Sequence, residues 1–219
     1  MSEKYMKKER AIKFYLMTYD RNNTGLTIFS SFIAGLRDAR KFTDRDPDSG
    51  KKLGTKQCGD YGSWLGAIGY LTLLDQIGSC FKPKTAIEIK SGSSIQKTLK
   101  YFTDLSTDEI DAVYALRCAF AHDYSLYNVN PKKQSLTHQF EVLQSPVVPL
   151  IKLPDEKWDG NYEHKTQTNK TIINLEALGD LVELVCDKLF TQGNNDGLEV
   201  ILPGGSDELL QRYSLMLRH

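Results

Sequence analysis

Arg117 and His122 are the two side chains whose types and setting most readily suggest chemistry. They lie in the stretch Leu116-Arg117-Cys118-Ala119-Phe120-Ala121-His122-Asp123-Tyr124, among residues that otherwise pack. A guanidinium is always charged and matches phosphate geometry, and an imidazole can trade a proton near neutral pH. The pair therefore suits cleavage of a phosphodiester. A structural reading stands beside this one, in which Arg117 pairs with a nearby carboxylate such as Asp111 or Asp123 and His122 borders the core, because ion pairs on helix surfaces are common. His138, His164 and His219 fall in strand-like, loop-like and terminal contexts without partner spacing, and read as surface or structural histidines. The chain has no G-x-x-x-x-G-K-[ST], G-x-G-x-x-G, H-E-x-x-H or G-x-S-x-G motif, which argues against nucleotide hydrolases and the common metallohydrolases.

The helix that carries the pair is well marked. Ser106-Thr-Asp-Glu109 is a capping box, in which hydroxyl and carboxylate reciprocally satisfy orphan backbone N–H groups. Ile110, Val113, Leu116, Phe120, Tyr124 and Tyr127 follow at spacings of three and four, an apolar stripe of about five turns. Five residues on such a helix advance about 7.5 Å and rotate by about 140°, so Arg117 and His122 do not share a stripe. One copy makes a poor site. Across a two-fold axis the arginine of one helix can approach the histidine of its mate. Tyr124 lies on nearly the same face as Arg117, where it either lines such a cleft and stacks on a base or serves as a core aromatic.

Further helices are expected over Lys4 to Tyr19, Leu26 to Phe42, Asp60 to Phe81, Ile95 to Leu105 and Leu175 to Phe190, with a last one ending near Leu217. The segment from Asp60 is apolar nearly all round and should be central. Gly62, Gly66 and Gly69 within it permit close backbone approach, for core packing or for a subunit contact. The stretch DRDPDSGKKLGTK, rich in charge, Gly and Pro, reads as a mobile loop near 43–57, whose Lys51, Lys52 and Lys56 could touch a phosphate backbone. Beyond Pro131 the runs Leu136 to Leu143, Val147 to Leu153 and Thr166 to Ile173 are β-compatible, and Leu198 to Leu202 is a possible further strand. The fold expected is a mainly α helical bundle, one domain over residues 1–219, with a small antiparallel β insertion near 132–173.

The segment Arg117 to Tyr124, late in a long helix of a helical protein, resembles the R-x4-6-H signature of the HEPN superfamily. The flanking GAIGYLTLLDQIGSCF and NLEALGDLVELVCDKLF look like that family's bundle helices. The resemblance covers residues 5–190 loosely, and only the arginine and histidine match at motif level. It implies a usually dimeric bundle of four to five helices, many members being metal-independent endoribonucleases of toxin–antitoxin, phage-defence or RNA-processing systems. His122 would then handle the proton at the ribose 2′-OH or the leaving 5′-oxygen, and Arg117 would stabilise the phosphorane-like transition state, giving 2′,3′-cyclic phosphate ends. Family members often carry Asn, Asp or His directly after the arginine; here Cys118 stands there. The same resemblance allows a non-catalytic module that binds RNA, nucleotide or a protein partner, or a structural, antitoxin-like partner.

Composition sets the outer limits. With 28 basic and 28 acidic side chains the formal net charge is zero, so any polyanion site must be local. Cys58, Cys80, Cys118 and Cys186 form no C-x-x-C pair, and the opening MSEKYMKKER lacks an apolar signal core. A cytoplasmic protein with no disulfide, no metal, no cofactor and no membrane contact is expected, acting as a homodimer on RNA, with an antitoxin or other protein partner in prospect.

Overall fold

The computed structural model describes residues 3–17, 19–21, 26–55 and 63–218. Helix α1 (Glu3–Leu16) turns Ala11, Ile12, Tyr15 and Leu16 into the core. It ends before Tyr19 because the short strand β1 (Tyr19–Arg21) follows. The expected second helix divides: Leu26–Ser30 is strand β2, and only Ser31–Phe42 is helical (α2). Ser30 marks the switch, its hydroxyl accepting from the Ile33 backbone N–H at 3.1 Å. The partner that holds β2 extended is the antiparallel strand β9 (Ser214–Arg218), from the other end of the chain, where helix had been expected to continue.

Helix α3 (Ser63–Cys80) is the central element, buried on most sides and packed by α2, by α4 (Ser94–Phe102), by α5 (Thr107–Asp123) and by α6 (Leu175–Asn194). Its glycines settle one question left open by sequence. A Cβ at Gly66 would collide with Thr43 and the Ala39 carbonyl, and one at Gly69 would stand 3.0 Å from the Ala39 Cβ. Both serve the close approach of α2 within the chain; Gly62 lies outside the described residues. The capping box expected at Ser106 with Glu109 is made for α5, and a second one, at Ser93 with Gln96, opens α4.

Strand β3 (Phe81–Pro83) pairs with β8 (Leu198–Val200), and α7 (Gly205–Tyr213) precedes β9. The insertion holds β4 (Tyr127–Asn128), β5 (His138–Leu143), β6 (Ile151–Lys152) and β7 (Lys170–Asn174) in the order β4-β5-β7-β6. It is a mixed sheet rather than the antiparallel one expected, since β5 and β7 run parallel. The long connection between them is of the kind a parallel crossover requires, whereas hairpins had been assumed.

A buried acid fastens the insertion to the bundle. Asp111 on α5, 3% exposed, accepts from Gln96 Nε2 and Ser135 Oγ, each at 2.6 Å, and from Lys133 Nζ at 2.8 Å. Burial alone would raise its pKa, but the Lys133 ammonium with the Ser135 and Gln96 donors outweighs burial and holds the carboxyl below its usual range.

The loop expected to be mobile is, as far as Thr55, folded and pinned. Asp46 N–H donates to the Lys51 carbonyl, Leu53 N–H donates to the Asp44 carbonyl, and Thr55 N–H donates to the Asp44 carboxylate. Two buried arginines clamp it against α6. Arg40 makes a two-pronged bond to Glu183 at 2.9 and 2.7 Å and donates to the Pro47 and Asp48 carbonyls. Arg45 bonds Asp180 at 2.7 Å and the Gly50 carbonyl. Composition suggested mobility because it registered charge and glycine without the carboxylates that α6 brings to meet them.

Removing one partner of a buried pair strands the other charge, so Arg40→Ala should cost about 3–5 kcal/mol in urea unfolding. It should also speed hydrogen exchange at the Gly50 and Leu53 amides; unchanged exchange there would show that the clamp does not hold the loop. For Asp111 the folded pKa lies below the unfolded value of about 3.9. Its contribution is therefore complete above that value and is lost as pH falls through the folded pKa. Urea midpoints measured from pH 6 to pH 3 should fall less steeply in Asp111→Asn than in the wild type.

Candidate active site

Helix α5 places Arg117 against α3 and leaves His122 at its exposed last turn. The carboxylate that meets Arg117 is neither Asp111 nor Asp123 but Asp75, which accepts from Arg117 Nε at 2.5 Å through Oδ2. Oδ1 of Asp75 accepts from the Ile95 backbone N–H at 3.0 Å, in the first turn of α4. One carboxylate thus satisfies an orphan helix donor and orients the guanidinium. Among the described residues only the Nε of Arg117 is engaged. The terminal nitrogens make no hydrogen bond to the described residues, and the side chain is 32% exposed. The guanidinium is held by one atom, and its remaining donors are unspent among the described residues.

His122 is exposed and makes no hydrogen bond or ion pair with the described residues. Helix geometry sets it about 140° around the axis from Arg117. Tyr114, Cys118 and Ala121 fill the arc between them, the first two half-buried and the third exposed. The structure therefore brings Asp75 to Arg117 but leaves Arg117 and His122 on opposite margins of one strip of α5.

Tyr124 caps α5 in the left-handed conformation, with φ 50° and ψ 41°, a region where a side chain is costly. Its N–H donates to the Phe120 carbonyl and the Ser125 N–H to the Ala119 carbonyl, closing the helix end. The ring is 51% exposed and lies 5.3 Å from Trp64, at the start of α3, which itself stacks on Phe120 at 4.9 Å. Sequence reasoning singled out neither Trp64 nor Asp75 as a site residue. A signal for Asp75 was present, since it is the acid that interrupts an otherwise apolar helix.

The three lysines expected at a phosphate backbone have different fates. Lys52 bridges Glu176 at 2.7 Å and Asp180 at 2.9 Å, so its charge is spent within the chain. Lys51 is exposed, and Lys56 lies outside the described residues. A cavity of about 170 Å³ beside Lys52 is lined by Phe42, Arg45, Ser63, Gln144 and Glu176. A second, of about 110 Å³, lies against His138, Trp158 and Asn169. His138 has both ring nitrogens bonded, to Thr171 Oγ1 at 2.8 Å and to the Ser135 carbonyl at 3.0 Å, and burial lowers its pKa, which marks it as structural.

Among the described residues no three His, Cys, Asp or Glu side chains converge to hold a metal ion, and no helix is long and apolar enough to cross a membrane. Cys80 and Cys186 are buried free thiols, and Cys118 is half-buried beside Tyr114. Comparisons with protein-family models, curated proteins and solved structures return no match.

A half-exposed ion pair contributes little stability. A double-mutant cycle on Asp75→Asn and Arg117→Gln, read by urea unfolding, should give a coupling energy of about 0.5–1 kcal/mol. A coupling of several kcal/mol would show instead that the pair is there chiefly to hold α3 against α5.

Proposed function

We propose that this chain is a HEPN-like homodimer that cuts RNA without a metal, using Arg117 and His122. The observation that carries the proposal is the half-engaged guanidinium: Asp75 fixes Arg117 through Nε, and the terminal donors of this partly exposed side chain stay unspent among the described residues. A purely structural arginine would be expected to spend those donors within the fold, as Arg40 and Arg45 do.

The reaction needs no nucleophile from the protein. The ribose 2′-oxygen attacks the phosphorus as its proton passes to a base, and the bond from phosphorus to the 5′-oxygen breaks as that oxygen receives a proton. The products are a 2′,3′-cyclic phosphate and a 5′-hydroxyl. His122 supplies the proton traffic, and Arg117 offsets charge building on the phosphoryl oxygens. Two copies packed through the strip of Tyr114, Cys118 and Ala121 would set Arg117 of one copy toward His122 of the other, so the dimer completes the cleft. A toxin–antitoxin or phage-defence setting, in the cytoplasm, goes with this reading.

Purified protein incubated with RNA in EDTA should yield 2′,3′-cyclic phosphate ends. His122→Ala should slow cleavage by about a hundredfold to ten-thousandfold with binding retained. Arg117→Lys should restore little of what Arg117→Ala loses, because a planar fork becomes a point charge. Dimers mixing an Arg117→Ala subunit with a His122→Ala subunit should regain activity that neither homodimer has. Undiminished cleavage by His122→Ala would falsify the chemistry, and tight RNA binding without cleavage by the wild type would favour a non-catalytic RNA-binding module.

A further inference from the structure

Trp64 and Tyr124 meet where the first turn of α3 passes the last turn of α5, and three features set the pair apart from ordinary core packing. First, the rings form a three-way cluster at the margin of the core: Phe120, 2% exposed, lies against the Trp64 indole at 4.9 Å with an interplanar angle of 16°, and Tyr124 is tilted against both, 5.3 Å from Trp64 and 6.3 Å from Phe120. Trp64 is only half-buried, and Tyr124 is 51% exposed. Leu65, next to Trp64 in the chain, is also 51% exposed. Second, Tyr124 occupies a left-handed cap that glycine would fill without strain, so an aromatic ring is carried there at a conformational cost. Third, Arg117 and Tyr124 both meet α3, the first through Asp75 and the second against Trp64, and the seven residues between them on α5 advance about 10.5 Å. The unspent donors of Arg117 and the aromatic pair therefore lie along one seam between α3 and α5, a cationic point at one end and partly exposed rings at the other.

A strand whose phosphate sits at Arg117 would carry a neighbouring nucleotide toward Trp64 and Tyr124. Aromatic faces accept any base, but only one that has left its helix, since a paired and stacked base has no free face to offer. We infer that Trp64 and Tyr124 form a stacking platform for an unpaired nucleobase next to the phosphate held by Arg117, so the substrate is single-stranded RNA or an unpaired loop. This rests on the Arg117 and His122 reading for what happens to the phosphate, but the platform is a binding claim and is tested apart from cleavage.

The chain has two tryptophans, and the other, Trp158, is 1% exposed, so Trp64 is the one placed to report on a ligand. In full-length His122→Ala protein carrying Trp158→Phe, titration with an unstructured oligoadenylate should quench the indole emission. A duplex of the same length should quench little and bind more weakly. Tyr124→Leu and Trp64→Leu should each weaken oligoadenylate binding by about fivefold to a hundredfold, read by fluorescence anisotropy of a labelled RNA, while Tyr124→Phe and Trp64→Phe keep it near the starting value. Circular dichroism and unfolding midpoints establish that each leucine variant remains folded, and Tyr124→Leu, which leaves the α3 indole in place, stands if Trp64→Leu does not.

Equal quenching by single-stranded and duplex RNA would overturn the inference, as would leucine variants that bind like the parent. Loss of dimer in Trp64→Leu with RNA affinity intact would reassign the surface to a subunit contact and overturn it too. The two readings fail separately. Selective quenching without cleavage by the wild type leaves the platform standing and removes the nuclease; cleavage that depends on His122 but is indifferent to Trp64 and Tyr124 does the reverse.

Discussion

The carboxylate of Asp75 does two jobs with its two oxygens, and the arrangement of the candidate site depends on it. One oxygen accepts from the Ile95 N–H in the first turn of α4, and the other from the Nε of Arg117 on α5. Three helices are thereby tied at one carboxylate, beside the Ser79–Ser94 and Thr98–Leu74 hydrogen bonds that also join α3 to α4. The cost of placing an acid on a mostly buried helix is offset by a helix N-terminus, which favours negative charge, and by a fixed cation. Because the carboxylate reaches Arg117 through Nε, the guanidinium is steadied without being consumed.

The contrast with Arg40 and Arg45 makes the point sharper. Those two are almost wholly buried, and both cross to acids on α6. They also donate to carbonyls of the loop that follows α2, at Pro47 and Asp48 for Arg40 and at Gly50 for Arg45. Their guanidinium groups act as inward staples, drawing a charged loop onto the bundle. Arg117 shares the residue type but has one anchoring acid, a half-exposed setting and no loop to hold. Two settings of arginine, fully engaged and half engaged, are distinguished here by how many donors remain unspent.

Helix α5 carries both residues of the proposed chemistry on either side of a strip made of half-buried Tyr114 and Cys118 and exposed Ala121, whereas Gly66 and Gly69 of α3 are already packed by α2. Of the two uses open to those glycines, core packing is the one the structure shows, and the proposed second copy is assigned instead to the strip on α5.

What the sequence determined by itself was local: the period and the caps. Ser106 with Glu109 announced α5, and an apolar pattern all round Trp64 to Leu74 announced a central α3, because side chains within one or two turns decide such features. The types and spacing of Arg117 and His122 could also be read there, but within one copy the structure leaves the two side chains apart and gives Arg117 to Asp75. Tertiary structure decided everything that needs a partner from far along the chain. Strand β2 is extended because β9, more than 180 residues on, hydrogen-bonds to it, and β5 lies parallel to β7 because of how their connection crosses. Lys52 is neutralised, the loop around it ordered and Asp75 chosen over Asp111 and Asp123 by contacts that local pattern does not encode. Hydrogen-bonding and charge are short-ranged in space but indifferent to sequence distance. The candidate site's residue types were thus legible in the sequence, while the direction in which Arg117 presents its donors was set only by the packing of α3, α4 and α5.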